Sequence, residues 1–441
     1  MTRTKQISAY NDRIPAVLAQ MKRFASRTAE PGNRAGRSMM TGLDRRGLLK
    51  AAVSAPILPA LVGCSTLNRE ASVPDALAEQ VTVLGIPNAR FWPDTQGQAM
   101  AREAIAAQSR EFAARSTAGR LPPAYFLAVS GGGDNGAFGA GLLCGWHDAR
   151  KIPEFKLVTG VSTGALIAPF TFLGGRYYDR LRTMYTTIKA SDILEKQGLF
   201  GAVFGEALAD TTPLFQLISR YCDEQMLADI AAAYRGGRLL LIGTTSLDEQ
   251  RPVIWNIGAI ASSGRPGALE LMRKVLLASA SIPGAFPPVM IDIEAAGQRY
   301  QEMNVDGGAV AQTFLYPPDL AFRAQTRGPV HRRERHAYII RNGRLDPNPA
   351  DVERRFLSIT GRAISTMTHY SGYNDILRIY YNTKRDGVDY NLAFIEKDFP
   401  DYEHEQFDPT YMNALFNYGY IRGRSGYRWR KVPPILEAAV I

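Results

Sequence analysis

The chain is expected to fold as a three-layer α/β/α domain with a mainly parallel central sheet and a helical C-terminal elaboration. Two features of the 441 residues predict this. From Pro122 onward, short apolar runs punctuated by glycine alternate with stretches of helical periodicity, as strands and helices do when they take turns. Twice, such a run ends in a glycine-bearing turn that opens directly into an apolar helix, at Ser130 to Gly136 and at Gly160 to Gly164.

The expected strands are Ala124 to Ser130, Lys156 to Val161, Arg238 to Ser246, Pro252 to Asn256, Val289 to Ile293, Arg299 to Asn304 and Ala337 to Arg341. Most are short apolar runs punctuated by glycine or other turn residues. Helical spacing of apolar residues marks Gly136 to Ala149, Thr163 to Phe172, Thr211 to Arg220, Gln225 to Tyr234, Gly267 to Ala280 and Val352 to Tyr380. Residues 121–441 are therefore read as the main domain. Residues 64–120, with an alanine-rich helix from Gln98 to Ala114, read as a spacer and packing arm. No internal repeat or low-complexity tract interrupts the chain.

A hydrophobic content of 46% suits a globular protein with one large core or two modest ones. The net charge of +10 would raise nucleic acid as a partner if it were spread over the domain. It is not: residues 1–63 hold 11 Lys and Arg against 3 Asp and Glu, leaving 41 against 39 for everything after. Charge therefore gives no argument for DNA or RNA binding. The three cysteines, Cys64, Cys144 and Cys222, form no disulfide framework and no pair at metal-ligand spacing, so no metal is expected.

Residues 1–63 read as an address. Asp44-Arg45-Arg46-Gly47-Leu48-Leu49-Lys50 precedes a weakly apolar run, Ala51 to Val62, that ends in Leu61-Val62-Gly63-Cys64. A twin arginine before such a run looks like a twin-arginine export signal, and small residues before a cysteine look like a lipoprotein processing site. A spanning helix needs about 20 apolar residues, and this run is shorter and broken by Pro56 and Pro59. The expectation is cleavage before Cys64, lipidation of its thiol, and a lipid-anchored protein on the periplasmic face of a bacterial cell envelope. About forty residues ahead of the twin arginine make a long leader, so translation is expected to start at Met39 or Met40.

Three sites carry chemistry. The first is Gly131-Gly132-Gly133-Asp134-Asn135-Gly136, joining a strand to a helix. Such a loop aims several backbone N–H groups at one spot beside a helix N-terminus, which suits a phosphate or a developing oxyanion equally. Gly131, Gly133 and Gly136 also satisfy G-x-G-x-x-G, but a dinucleotide site wants an acidic residue at the end of the next strand. That strand ends instead in the second site, Gly160-Val161-Ser162-Thr163-Gly164. The G-x-S-x-G spacing permits a strained strand-to-helix turn that lifts a serine hydroxyl clear of the sheet. The third is Val305-Asp306-Gly307-Gly308, which alone would pass for a turn. A serine nucleophile needs a proton acceptor, and none of His147, His331, His336, His369 or His404 stands in a motif, so the Asp306 carboxylate is the better candidate.

In this order and spacing the chain resembles the patatin-like phospholipases, over about Tyr125 to Pro317. The stretches Gly243 to Asp248, Trp255 to Gly258 and Ala278 to Pro288 carry the resemblance too. It implies a Ser-Asp dyad of Ser162 and Asp306 and an oxyanion hole at Gly131, Gly132, Gly133 and Gly136. It also implies supporting roles for Gly160, Gly164, Gly307 and Gly308, a lipid or other acyl-ester substrate, and no cofactor. The chain departs from the family at Asn135, where an Arg or Lys is frequent, and at Ser130, where an acid or a small residue stands. Two alternatives stay open: an α/β-hydrolase esterase whose Ser-Asp-His triad is completed by one of the later histidines, and a non-catalytic lipid-binding or scaffolding envelope lipoprotein. The thirty residues from Gly132 to Ser162 hold one helix and one strand, fewer elements than the α/β-hydrolase layout places there.

Overall fold

A computed structural model describes residues 69–115, 121–193, 195–196, 209–317, 333–400 and 404–438. The twin arginines, Met39, Met40 and Cys64 lie outside the described residues, as does His331. The described residues belong to one unit, Asn68–Ile441, in which the arm before residue 120 packs with the rest.

Among the described residues the strands run, in chain order, β1 (Arg90–Phe91), β2 (Ala124–Val129), β3 (Phe155–Val161), β4 (Glu195–Lys196), β5 (Ala209–Asp210), β6 (Leu239–Ser246), β7 (Arg251–Asn256), β8 (Val289–Ala295), β9 (Gln298–Asp306), β10 (Arg335–Arg341) and β11 (Asp389–Phe394). Nine of them make the main sheet, ordered β1-β7-β6-β3-β2-β10-β11, with β9 joined to β6 and β8. The stretch β6-β3-β2-β10-β11 is parallel throughout, and β7, β1, β9 and β8 are antiparallel additions at one side. Central strands buried on both faces must be apolar along most of their length. Accordingly β6 (Leu-Leu-Leu-Ile-Gly-Thr-Thr-Ser) is buried at every position and turns polar only where it nears the site.

The helices are α1 (Gly97–Ala114), α2 (Gly136–Asp148), α3 (Thr163–Leu173), α4 (Tyr177–Thr187), α5 (Thr212–Tyr221), α6 (Glu224–Arg235), α7 (Ile257–Ser262), α8 (Ala268–Ala280), α9 (Phe356–Asp386), α10 (Pro409–Ser425) and α11 (Pro434–Ala438). Two apolar clusters lie on the sheet's faces. The larger gathers α2, α3, α4 and α8; the smaller gathers Met100 and Ala107 of α1 with Ile376 and Ile379 of α9. The mixed α/β architecture and its mainly parallel sheet thus agree with the expectation from sequence.

Two interactions fasten peripheral elements to this frame. Helices α2 and α10 meet along a glycine seam: a Cβ on Gly141 would fall 2.0 Å from the Phe416 carbonyl oxygen, and one on Gly419 would fall 2.3 Å from that of Phe138. Only hydrogen fits there, so backbone meets backbone and α10 is clamped to the helix after the glycine loop. Arg90 Nη1 donates to both carboxylate oxygens of Glu302 at 2.8 Å, fastening the arm to β9 in the interior.

Candidate active site

The glycine loop, the Ser162 turn and Asp306 converge at the C-terminal ends of the parallel strands, where open α/β sheets gather their ligands. β6 explains the convergence. Along one edge it pairs first with β3, down to Val161 opposite Gly243; β9 then takes over that edge, with Asp306 opposite Thr244. Ser162 comes directly after Val161. Val161 and the aspartate, far apart in sequence, thus stand one rung apart on a common neighbour, which brings Ser162 and Asp306 together.

Ser162 has φ 56° and ψ −128°, a conformation that L-residues rarely take, between β3 and α3. Its strain is borne by close packing around it. A Cβ on Gly160 would lie 2.4 Å from the Gly164 carbonyl oxygen, and one on Gly164 would lie 2.2 Å from that of Val129. The positive φ therefore belongs to the serine, and the flanking glycines are needed for clearance. The Ser162 amide donates to Ser279 Oγ at 3.0 Å, and Ser279 Oγ–H donates to the Gly243 carbonyl at 2.6 Å. Ser281, two residues on, accepts the Asp306 amide through its carbonyl at 2.9 Å. The end of α8 therefore holds the backbones of both residues.

Asp306 is 4% exposed and takes the Gly308 amide on Oδ1 at 2.7 Å. Burial pushes its carboxyl up to about 7, against the opposite pull of the neighbouring Ser162 side chain and the Gly308 amide. Gly307 is required because a Cβ there would come 2.5 Å from the Gly243 carbonyl oxygen.

In the glycine loop, the Gly131 amide is used, donating to the Gln312 carbonyl at 2.9 Å, and the Gly136 amide turns inward to the Gly133 and Asp134 carbonyls. Among the described residues no acceptor receives the amides of Gly132 and Gly133. Gly133 has φ 59°, and a Cβ on Gly136 would collide with Thr163 at 2.0 Å. Gly131 and Gly136 thus shape the loop, while Gly132 and Gly133 leave donors available. Behind the loop stands Asn342, a residue without any motif of its own in the sequence. Its side chain accepts the Gly139 amide at 3.0 Å and donates to the Ser130 carbonyl at 2.8 Å, while its own amide donates to Ser130 Oγ. Arg341 lies beside it, buried, with its guanidinium near the Gly131 carbonyl.

From Ser162 and Gly133 a cavity runs between α3, α4, α5 and α8, walled by apolar groups such as Leu166, Phe170, Leu217 and Leu276. Among the described residues no histidine hydrogen-bonds to Ser162 or Asp306, and none of the acidic, histidine or cysteine side chains group as a metal site. His336 pairs with Asp389 at the far end of β10, and His147 stacks on Tyr178. Cys144 and Cys222 are free, buried thiols pushed up to about 12 by burial. Among the described residues no helix is long and apolar enough to cross a membrane.

Residues 127–318 match the family model described as patatin-like phospholipase, a match that supports lipid acyl hydrolysis in general. Comparison with curated proteins gave no match. Among solved structures, VipD from Legionella pneumophila is similar with a TM-score of 0.33 and 10% identity, covering 70% of this chain and 67% of that one.

Proposed function

We propose that this chain hydrolyses carboxylic esters of lipids through Ser162 as nucleophile and Asp306 as its base. The observation that carries the reading is the buried Asp306 carboxyl, paired to β6 one rung beyond Val161, the residue before Ser162, so that the serine is its nearest reactive neighbour in the fold. An ordinary carboxylate, with pKa about 3.9, is a weak base for an alcohol; one raised to about 7 by burial is far better matched to neutral pH.

As Ser162 Oγ attacks the ester carbonyl, its proton passes to Asp306. The carbonyl oxygen becomes an oxyanion facing the Gly132 and Gly133 amides and the N-termini of α2 and α3. Such donors stabilise the tetrahedral state by about 3 kcal/mol each. Collapse expels the alcohol, which takes the proton from Asp306. Water activated by the same carboxylate then releases the fatty acid and frees the serine. The apolar cavity beginning at Ser162 suits an acyl chain and keeps the carboxyl dry.

We further propose that the chain is exported through its twin arginine and anchored by lipid on Cys64, which would hold the enzyme at its substrate's surface. This rests on the sequence of residues 44–64. Radiolabelled palmitate carried by the wild type and lost with Cys64→Ala tests it; equal labelling of both would refute it.

The catalytic reading is tested by ester hydrolysis with wild type, Ser162→Ala and Asp306→Asn. Turnover by the wild type alone is expected. Equal turnover in all three refutes the dyad, and an inactive wild type that still binds lipid vesicles favours a non-catalytic lipid-binding protein.

A further inference from the structure

Between Gly133 and Gly136 the glycine loop carries two side chains, Asp134 and Asn135, and both are held by residues far outside the family match at 127–318. The Asp134 carboxylate accepts the His404 ring N–H at 3.2 Å and the Phe407 amide at 3.2 Å. The Tyr411 hydroxyl donates to Asn135 Oδ1 at 2.6 Å. His404 and Tyr411 stack face to face, centroids 3.5 Å apart and planes 12° from parallel, so the two donors brace each other. Phe407, between them, has φ 60°, a value a bulky residue keeps only when its surroundings over-determine it. Its amide is fixed by Asp134 and its side chain lines the apolar cavity, as does Met412 one turn into α10. The glycine seam in turn locks α10 to α2.

We propose that His404 and Tyr411 are positioning residues for the oxyanion loop, and that the 404–411 segment joins the cavity wall to the geometry of the Gly132 and Gly133 donors. This rests on the catalytic reading above. The physical case is that two free amides must point at one spot, yet Gly133 sits in a conformation open to a glycine's full freedom. Ordering has to come from neighbours. Asp134 and Asn135 supply the handles, and the segment grips both. A side chain at the family's frequent Arg or Lys position is thereby used here as an acceptor for Tyr411.

The test combines hydrogen exchange with kinetics on the full chain. His404→Ala and Tyr411→Phe are compared with wild type and with His404→Gln, which keeps an N–H donor. Exchange at the Asn135 and Gly136 amides should speed up at least about 10-fold in the first two and return toward wild type in the Gln variant. With p-nitrophenyl butyrate, kcat per site titrated by a fluorophosphonate should fall about 10-fold or more for His404→Ala, since misplacement by about an ångström can cost 100-fold. KM should stay within about twofold, and His404→Gln should recover most of the loss. Unchanged exchange in both variants overturns the proposal whatever the kinetics, and so does a loosened loop with kcat intact or a loss confined to KM. Failure of the catalytic reading would show separately, as wild-type turnover by Ser162→Ala.

Discussion

Replacing Asp306 with asparagine should abolish ester turnover and, at alkaline pH, make the protein more stable. The carboxyl rises from 3.8 to about 7 on folding because it is buried, with 4% of its surface exposed. At about 1.4 kcal/mol per pKa unit, ionising it inside the folded protein costs roughly 4 kcal/mol, with little solvent screening to discount. The sign comes from linkage. Below pH 4 the group is protonated whether the chain is folded or not. From there to about 7 the folded state keeps a proton that the unfolded chain has given up, so its contribution to stability declines as pH rises and is lost above 7. Asparagine cannot ionise and keeps an oxygen for the Gly308 amide. The variant's advantage over wild type should therefore grow from pH 4.5 to pH 8 and approach about 4 kcal/mol. Urea unfolding of both proteins, monitored by tryptophan fluorescence at several pH values, measures it. A difference that does not change with pH, or a variant less stable at pH 8, would refute the argument that Asp306 is a buried, proton-retaining group.

The same carboxyl sets the activity profile: kcat/KM on a soluble ester should climb as one group ionises near pH 7 and level off above it, and a curve flat from pH 5 to 8 would contradict Asp306 as base. Asn342→Ala strands the buried Gly139 amide and Ser130 carbonyl, so unfolding should become easier by about 2–5 kcal/mol, measured by denaturant titration. Gly141→Ala drives a methyl into the Phe416 carbonyl and should cost about 1–3 kcal/mol in the same assay, whereas an unaffected midpoint would mean that α10 can slide off α2. Leu217→Trp fills part of the apolar cavity and should shift preference toward shorter acyl esters in a chain-length series, mainly through KM.

Much of this architecture is legible in the sequence because it is written locally. The strand-turn-helix joints at Ser130 and Ser162 combine an apolar run, a glycine turn and an apolar helix within a few residues, and β2, α2, β3 and α3 begin and end within a residue or so of expectation. The strand expected at Arg299 to Asn304 extends to Asp306 as β9, so the aspartate is the strand's last residue rather than part of a turn. β11 has no clear signature because Asp389 and Asn391 interrupt its apolar pattern; Asn391 spends its amide on the Ala337 carbonyl of β10, a bond visible only after folding. α10 is hidden for another reason. Gly419 and Gly423 read as helix breakers in isolation, and their use is contact with α2. The supports around the site share this property. Ser279, Gln312 and Asn342 act across more than a hundred residues of chain, although Asn342 does come directly after β10, at the end of the sheet where sites of this architecture collect.

Because Ser162 and Asp306 are both referenced to β6, their alignment does not depend on the length of chain that separates them. Side chains of α4 and α5 that wall the apolar cavity, such as Met184 and Leu217, could be exchanged without moving position 162 relative to position 306, provided the rungs at Gly243 and Thr244 are kept. The width and depth of the cavity can thus be varied there while the strand ends stay in place, which makes those two helix faces the natural sites for library construction.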